Sequence, residues 1–217
     1  MRSNTLNTLG DNRRRATARR LLAQAESDPA AGAALDALPA DTPCGAVLAE
    51  RLRFGPPETW LGWRAGTGKV VVKLWPADQA PPPLPAIDHA GVAPLLDQGA
   101  GWRMFTWVAG ETLSTTLRQG AVPAATVDQI ADALAALHAA GVAHGDVTPA
   151  NVVLGRTGAV LIDWGEDSAG TPGWRPAGRH DGLQRDHFGL RRLREVISAP
   201  PAGHTPAAGP RCPPDRE

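Results

Sequence analysis

VAHGDVTPANVVLGRTGAVLIDWG, running from Val142 to Gly165, decides how the rest of the chain is read. Apolar Val142 and Ala143 lead into a polar loop, His144 to Ala150, and Val152-Val153-Leu154 reads as a strand. Arg156-Thr157-Gly158 has turn chemistry that reverses the chain into a second strand, Ala159 to Ile162, ending on Asp163. Such a hairpin brings Asn151 and Asp163 to one end, close to Asp146. A positioning carboxylate with two further hard oxygen donors suits magnesium and a nucleotide phosphate held beside an acceptor hydroxyl, because magnesium keeps a near-octahedral oxygen shell. The plainer alternative is a loop in which Asp and Asn satisfy their own turns.

Upstream, Val127, Ile130, Leu134 and Leu137 recur at helical spacing between Thr126 and Ala140, with Gly141 as the stop. This predicts a buried amphipathic helix that carries the polar loop on a rigid support. Further back, Val47 to Phe54, Thr59 to Arg64 and Lys69 to Trp75 are separated by Gly-Pro-Pro and Ala-Gly-Thr-Gly turns, which predicts an antiparallel sheet. Within Val70-Val71-Val72-Lys73-Leu74 a cation emerges from an apolar strand. Burying it is costly without an anion, and a nucleotide phosphate is a natural partner.

The 142–165 stretch resembles the catalytic and magnesium loops of the protein-kinase superfamily, H-R-D-L-x-x-x-N and D-F-G, and the Lys73 strand resembles its V-A-I-K strand. The resemblance implies an α+β, bilobal, protein-kinase-like fold with a small antiparallel N-lobe sheet and a truncated helical C-lobe. By the same resemblance Asp146 matches the catalytic Asp, Asn151 and Asp163 the magnesium ligands, and Lys73 the lysine that pairs with the phosphates. Arg103 to Gly110 looks like the fifth strand and hinge, so the backbone from Thr106 to Val108 would meet adenine, with Phe105 behind it. Gly170-Thr171-Pro172-Gly173-Trp174-Arg175-Pro176 resembles the peptide-positioning segment of bacterial-type Ser/Thr protein kinases, with Thr171 matching the Thr that meets the catalytic Asp. Asp186 matches the residue that fastens the catalytic loop from below.

The chain departs from the pattern in places. Phe54-Gly55-Pro56-Pro57 offers one Gly and two prolines where the family has a Gly-rich phosphate loop. Pro76 to Ile87 holds five prolines and no Glu, so the helix that supplies the lysine's glutamate partner is expected to be absent or reduced to a turn. Gly145 replaces the usual Arg, which removes a reader of activation-loop phosphorylation, and Thr148 replaces a lysine. The glutamate of A-P-E is missing after Pro176-Ala177. HGD and Ile162 to Glu166 also resemble aminoglycoside phosphotransferases and related small-molecule kinases.

Composition permits this reading. Lys plus Arg equals Asp plus Glu at 22 each over 217 residues, so no global field draws the chain to nucleic acid or membrane. No apolar run of 18 residues and no secretory leader is present, which predicts a cytoplasmic protein. Cys44 and Cys212 lie far apart with no metal spacing, and both are expected as free thiols. Five arginines, Arg13, Arg14, Arg15, Arg19 and Arg20, mark a basic helix over residues 12–26, read as a solvated face because no aromatics are interleaved. A second short helix is expected over 30–38.

The chain thus divides into a helical basic leader (1–40), an N-lobe (41–108), a truncated C-lobe (109–198) and a Pro-rich disordered tail (199–217). The expected cofactors are ATP and Mg²⁺, and the expected partner is a protein Ser/Thr hydroxyl or a small-molecule hydroxyl. A pseudokinase or nucleotide-sensing module is the alternative from a binding class. Oligomeric state is open.

Overall fold

The computed structural model describes residues 8–120, 122–166 and 170–198; the stretch expected to be disordered, 199–217, lies outside them. Five strands form an antiparallel sheet in the order β1-β2-β3-β5-β4: β1 Val47–Arg53, β2 Glu58–Arg64, β3 Gly68–Leu74, β4 Leu95–Gly99 and β5 Trp102–Thr106. Alternation assigns the faces. Val70 and Val72 are fully buried on one side with Trp60, Met104 and Leu48, so Val71 and Lys73 point to the other, where a cleft opens.

The leader is not a separate element. Helix α1, Thr8–Gln24, and helix α2, Pro29–Asp36, lay Ala18, Leu22 and Leu35 on Val47 and Ala49 of β1. Asp28 caps α2 by accepting from the Ala30 N–H, with Pro29 following as the first helical residue. Polar ties hold the leader down: Arg14 pairs with Asp41, Trp63 donates to Asp36, and Arg15 lies over the Trp60 ring. The basic face is therefore partly engaged by the sheet, a correction to the solvated-face reading. The aromatics it uses come from β2, which is remote in sequence.

Between β3 and β4 the expected helix is indeed reduced to one 3₁₀ turn, Ala77–Gln79. Proline lacks the N–H a helix interior needs, and its ring clashes with the preceding turn. The extended chain is instead tied from β4 and β5. Arg103 donates to the Pro82 carbonyl at 2.6 Å, and the Gln98 amide both accepts from and donates to the Leu84 backbone.

The second half comprises β6 Glu111–Thr112, α3 Leu113–Gln119, α4 Thr126–Ala139, β7 Val152–Gly155, β8 Gly158–Leu161 and α5 Gly182–Ser198. Ile130, Leu134 and Leu137 of α4 are buried as expected, while Val127 is half-buried. They join Val152, Leu161, Trp164 and Leu193 in a core that reaches Phe105 of the first sheet. A bridge from Val92 to Leu161 stitches the two halves together, with N–H···O distances of 2.8 and 2.9 Å.

Helix α5 approaches the loop at Gly189, where a Cβ would stand 2.5 Å from the Val147 carbonyl oxygen. Gly189→Ala should therefore push the helix off the loop, at a cost of about 1–3 kcal/mol. The expected result is a lower melting temperature, read by circular dichroism, together with slower turnover; an unchanged melting curve would show that the helix can shift freely.

Candidate functional site

Helix α4 ends at Ala139, and Gly141 turns the chain into the loop with φ 75°. That loop is held from below by Asp186 of α5, which is 0% exposed. Its carboxylate accepts from the His144 N–H at 2.8 Å, the Gly145 N–H at 2.7 Å and the His138 ring at 2.8 Å. Gly145 sits at φ 84°, a conformation that a side-chain-bearing residue adopts only under strain. The His144 ring then donates from Nε2 to the Ile162 carbonyl at 2.9 Å, tying the loop to the strand end that precedes Asp163.

Asn151, Asp163 and Lys73 line a cleft of about 400 Å³, Lys73 paired with Asp163, and Asp146 is joined to that lining through Asn151. The Asn151 amide donates to the Asp146 carbonyl at 2.9 Å and to its Oδ2 at 3.3 Å. Thr171 holds both Asp146 oxygens, its N–H on Oδ1 at 2.7 Å and its hydroxyl on Oδ2 at 2.8 Å. Asp163 has φ 64° and is the one described non-glycine residue in the left-handed region. Such strain persists only where the surroundings enforce it, and here Trp164 does so. Trp164 is fully buried, donates to the Ala93 carbonyl and stands edge-on to Phe105.

Sequence reading missed the residue that completes the lysine's pairing. Lys73, 2% exposed, contacts Asp163 Oδ1 and lies 2.5 Å from Glu166 Oε1. The glutamate sought on a helix after β3 is thus supplied three residues beyond Asp163. Arg103 was missed as well: fully buried, it donates to the Gly165 carbonyl at 2.8 Å and so braces the same turn. Nothing local in the Ile162-Asp163-Trp164-Gly165-Glu166 run marks Glu166 as the partner of a lysine 93 positions away.

The other wall of the cleft contains Val71, Ala93, Phe105, Thr106, Trp107, Val108 and Val153. The Thr106 N–H is already bonded to the Pro94 carbonyl and the Trp107 N–H to the Lys69 carbonyl. Of the backbone groups expected to meet a base, the donor left is therefore the Val108 N–H. This narrows the expectation for Thr106 to its carbonyl.

The donor set fits magnesium. Because the Asn151 NH₂ is spent on Asp146, its carbonyl oxygen is the atom left for a cation, beside the Asp163 carboxylate. Two protein oxygens are the number magnesium takes when phosphate and water complete its shell. Among the described residues no group of three or more His, Cys, Asp or Glu forms an all-protein cage.

Charge states agree with this arrangement. Burial works to raise the Asp163 pKa, but the ammonium of Lys73, with smaller help from the Arg53 guanidinium, draws it below the usual carboxylate range. Burial depresses the His144 pKa below 6.5 against the pull of Asp186 and Asp163. A histidine buried neutral stabilises the fold fully above its unfolded pKa, and that contribution is lost as pH falls from 6.5 through the lower folded value. The melting temperature should therefore fall more steeply below pH 6.5 in the wild type than in His144→Leu. Parallel curves would show that His144 does not carry the acid sensitivity.

No family model matches the chain. A 70-residue stretch is 43% identical to a protein of Natronomonas pharaonis named "Probable bifunctional tRNA threonylcarbamoyladenosine biosynthesis protein"; the match spans 32% of this chain and 12% of that protein. Among solved structures, the kinase domain of Mycobacterium tuberculosis PknI superposes with TM-score 0.55 at 23% identity, covering 70% of this chain and 73% of that one. A further structure of that domain gives 0.52 at 23% identity, covering 78% and 79%. The chain therefore has a protein-kinase-like α+β fold. Among the described residues, no helix is long and apolar enough to cross a membrane.

Proposed function

We propose that the chain transfers the γ-phosphate of Mg-ATP to a Ser or Thr hydroxyl of a protein. The observation that carries this is a cleft lined by Lys73, Asn151 and Asp163, with Asp146 bonded to Asn151 beside it and apolar side chains along its other walls. Adenine would lie between Val71, Ala93 and Val153, reading the Thr106 carbonyl and the Val108 N–H. Lys73 would hold the phosphates, and Asn151 and Asp163 would hold magnesium, which when bound neutralises phosphate charge.

Asp146 would orient the acceptor hydroxyl and take its proton as the oxygen attacks phosphorus. Thr171, bonded to both Asp146 oxygens, fixes that carboxylate's direction. Its position in a Gly-Thr-Pro segment is what favours a protein acceptor. Transfer of label from γ-labelled ATP by the purified protein, with its own cell lysate as acceptor, tests the assignment. Label in protein supports it, whereas label in small metabolites moves the acceptor to the small-molecule class.

A second reading, a nucleotide-binding regulatory module, draws on the two prolines between β1 and β2 and on the lack of a helix between β3 and β4 beyond one 3₁₀ turn. A Mg-ATP thermal shift without any transfer would favour it.

A further inference from the structure

The connection between β1 and β2 is four residues long, Phe54-Gly55-Pro56-Pro57, and the two prolines have no N–H to give. Phosphate cradling by successive backbone amides, which a glycine-rich loop provides, is confined here to Phe54 and Gly55. A side chain compensates. The register of β1 on β2 slips between Arg51 and Arg53, and such an irregularity re-aims a side chain that regular alternation would place on its neighbour's face. Arg51 lies over the Trp60 and Phe54 rings and pairs with Glu58. Arg53 instead lines the cleft, with Nη1 3.9 Å from Asp163 Oδ2 and 3.8 Å from Glu166 Oε2.

Those separations exceed hydrogen-bond range, and the Arg53 guanidinium makes no hydrogen bond among the described residues. It is ion-paired with both carboxylates while its N–H groups stay free of hydrogen bonds to the described residues, and the side chain is half-exposed beside the cleft. Thr59, facing Arg53 in register and lining the same wall, adds a buried hydroxyl with no hydrogen-bond partner among the described residues. Lys73 lies on the other side of the two carboxylates. A planar fork of five donors matches phosphate oxygens two at a time, which a point charge does not.

We infer that Arg53 grips the terminal phosphates of the nucleotide, with the Thr59 hydroxyl beside it, in place of a glycine-rich loop. This rests on reading the cleft as an ATP site. A side chain at the end of β1 then adds to the phosphate affinity that Lys73 supplies, and it takes the part of the missing loop amides in discriminating ATP from adenosine.

The test is calorimetric titration of wild type, Arg53→Ala and Arg53→Lys with Mg-ATP and, separately, with adenosine. Arg53→Ala should weaken Mg-ATP by roughly 10- to 100-fold, the range for losing hydrogen bonds between charged groups, while adenosine affinity changes by less than about twofold. Arg53→Lys, which keeps the charge and loses the fork, should fall between. It also carries the test if the alanine variant does not fold. Equal losses for both ligands, or none for Mg-ATP, would overturn the inference. Wild-type protein that binds neither ligand removes the nucleotide site itself, and Arg53's role with it. Wild type that binds Mg-ATP as tightly as Arg53→Ala removes only the arginine's role.

Discussion

Asp146→Ala should bind Mg-ATP within about twofold of wild type yet transfer phosphate roughly 10²- to 10⁴-fold more slowly, the range that a positioned acid or base contributes. The two readouts separate because Asp146 touches neither Lys73 nor Asp163. Its oxygens are occupied by Thr171 and Asn151, so the wall that would bind nucleotide keeps its shape when the carboxylate goes. The loop itself keeps its anchor, since Asp186 holds the backbone of His144 and Gly145 and not the Asp146 side chain. Asp146→Asn is the closer probe: it preserves the contact with Asn151 and Thr171 in shape but cannot take a proton. A fall of similar size in Asp146→Asn assigns the loss to proton acceptance and charge. Label transfer by Asp146→Ala at the wild-type rate would remove the kinase assignment.

What could be read in the sequence follows the range of the interactions. Asp146, Asn151 and Asp163 are joined by one loop and one hairpin, so strand alternation and turn residues were enough to bring them together. Lys73 was legible for a different reason: a cation among Val70, Val71 and Val72 needs an anion wherever the fold places it. Its partner Glu166, 93 positions away, was not. Neither periodicity nor spacing encodes a pairing between a strand and a loop from opposite halves of the chain.

The docking of α1 on β1 was hidden in the same way, because Ala18 and Leu22 are sparse among arginines and their partners Val47 and Ala49 lie beyond helix α2. Arg103 looked like a hinge-strand residue, and nothing local distinguishes a buried arginine whose partners are the carbonyls of Pro82 and Gly165. Helix α3 is a different kind of miss, since its signals are local. Thr112 caps it by accepting from the Thr115 N–H, and Gly120 closes it at φ 86°.

Removing the Glu166 carboxylate should show how this chain holds its lysine. Lys73 is buried against two anions, and Glu166 is the less exposed of them. In Glu166→Ala the ammonium keeps Asp163 and leans toward it. The lysine is then drawn away from where phosphates would lie, and Asp163 is more fully committed to it than to a cation. The expected result is a 10- to 100-fold loss in kcat/KM for ATP, carried mainly by KM, with about 1–3 kcal/mol of stability lost as one charged hydrogen bond disappears. Lys73→Ala is more damaging to the fold, because it leaves two carboxylates together with the more distant Arg53 and Arg103 as their remaining cations; about 3–5 kcal/mol is the scale for breaking such a pair. In the double variant the two losses should fall well short of additive, since each single change removes the same contact. Additive losses, or Glu166→Ala with unchanged KM, would show that Glu166 merely fills the turn. If the coupling is found, the lysine's geometry is set by the loop that carries Asp163. The pairing then forms whenever that loop is folded, with no helix required to swing in and complete it.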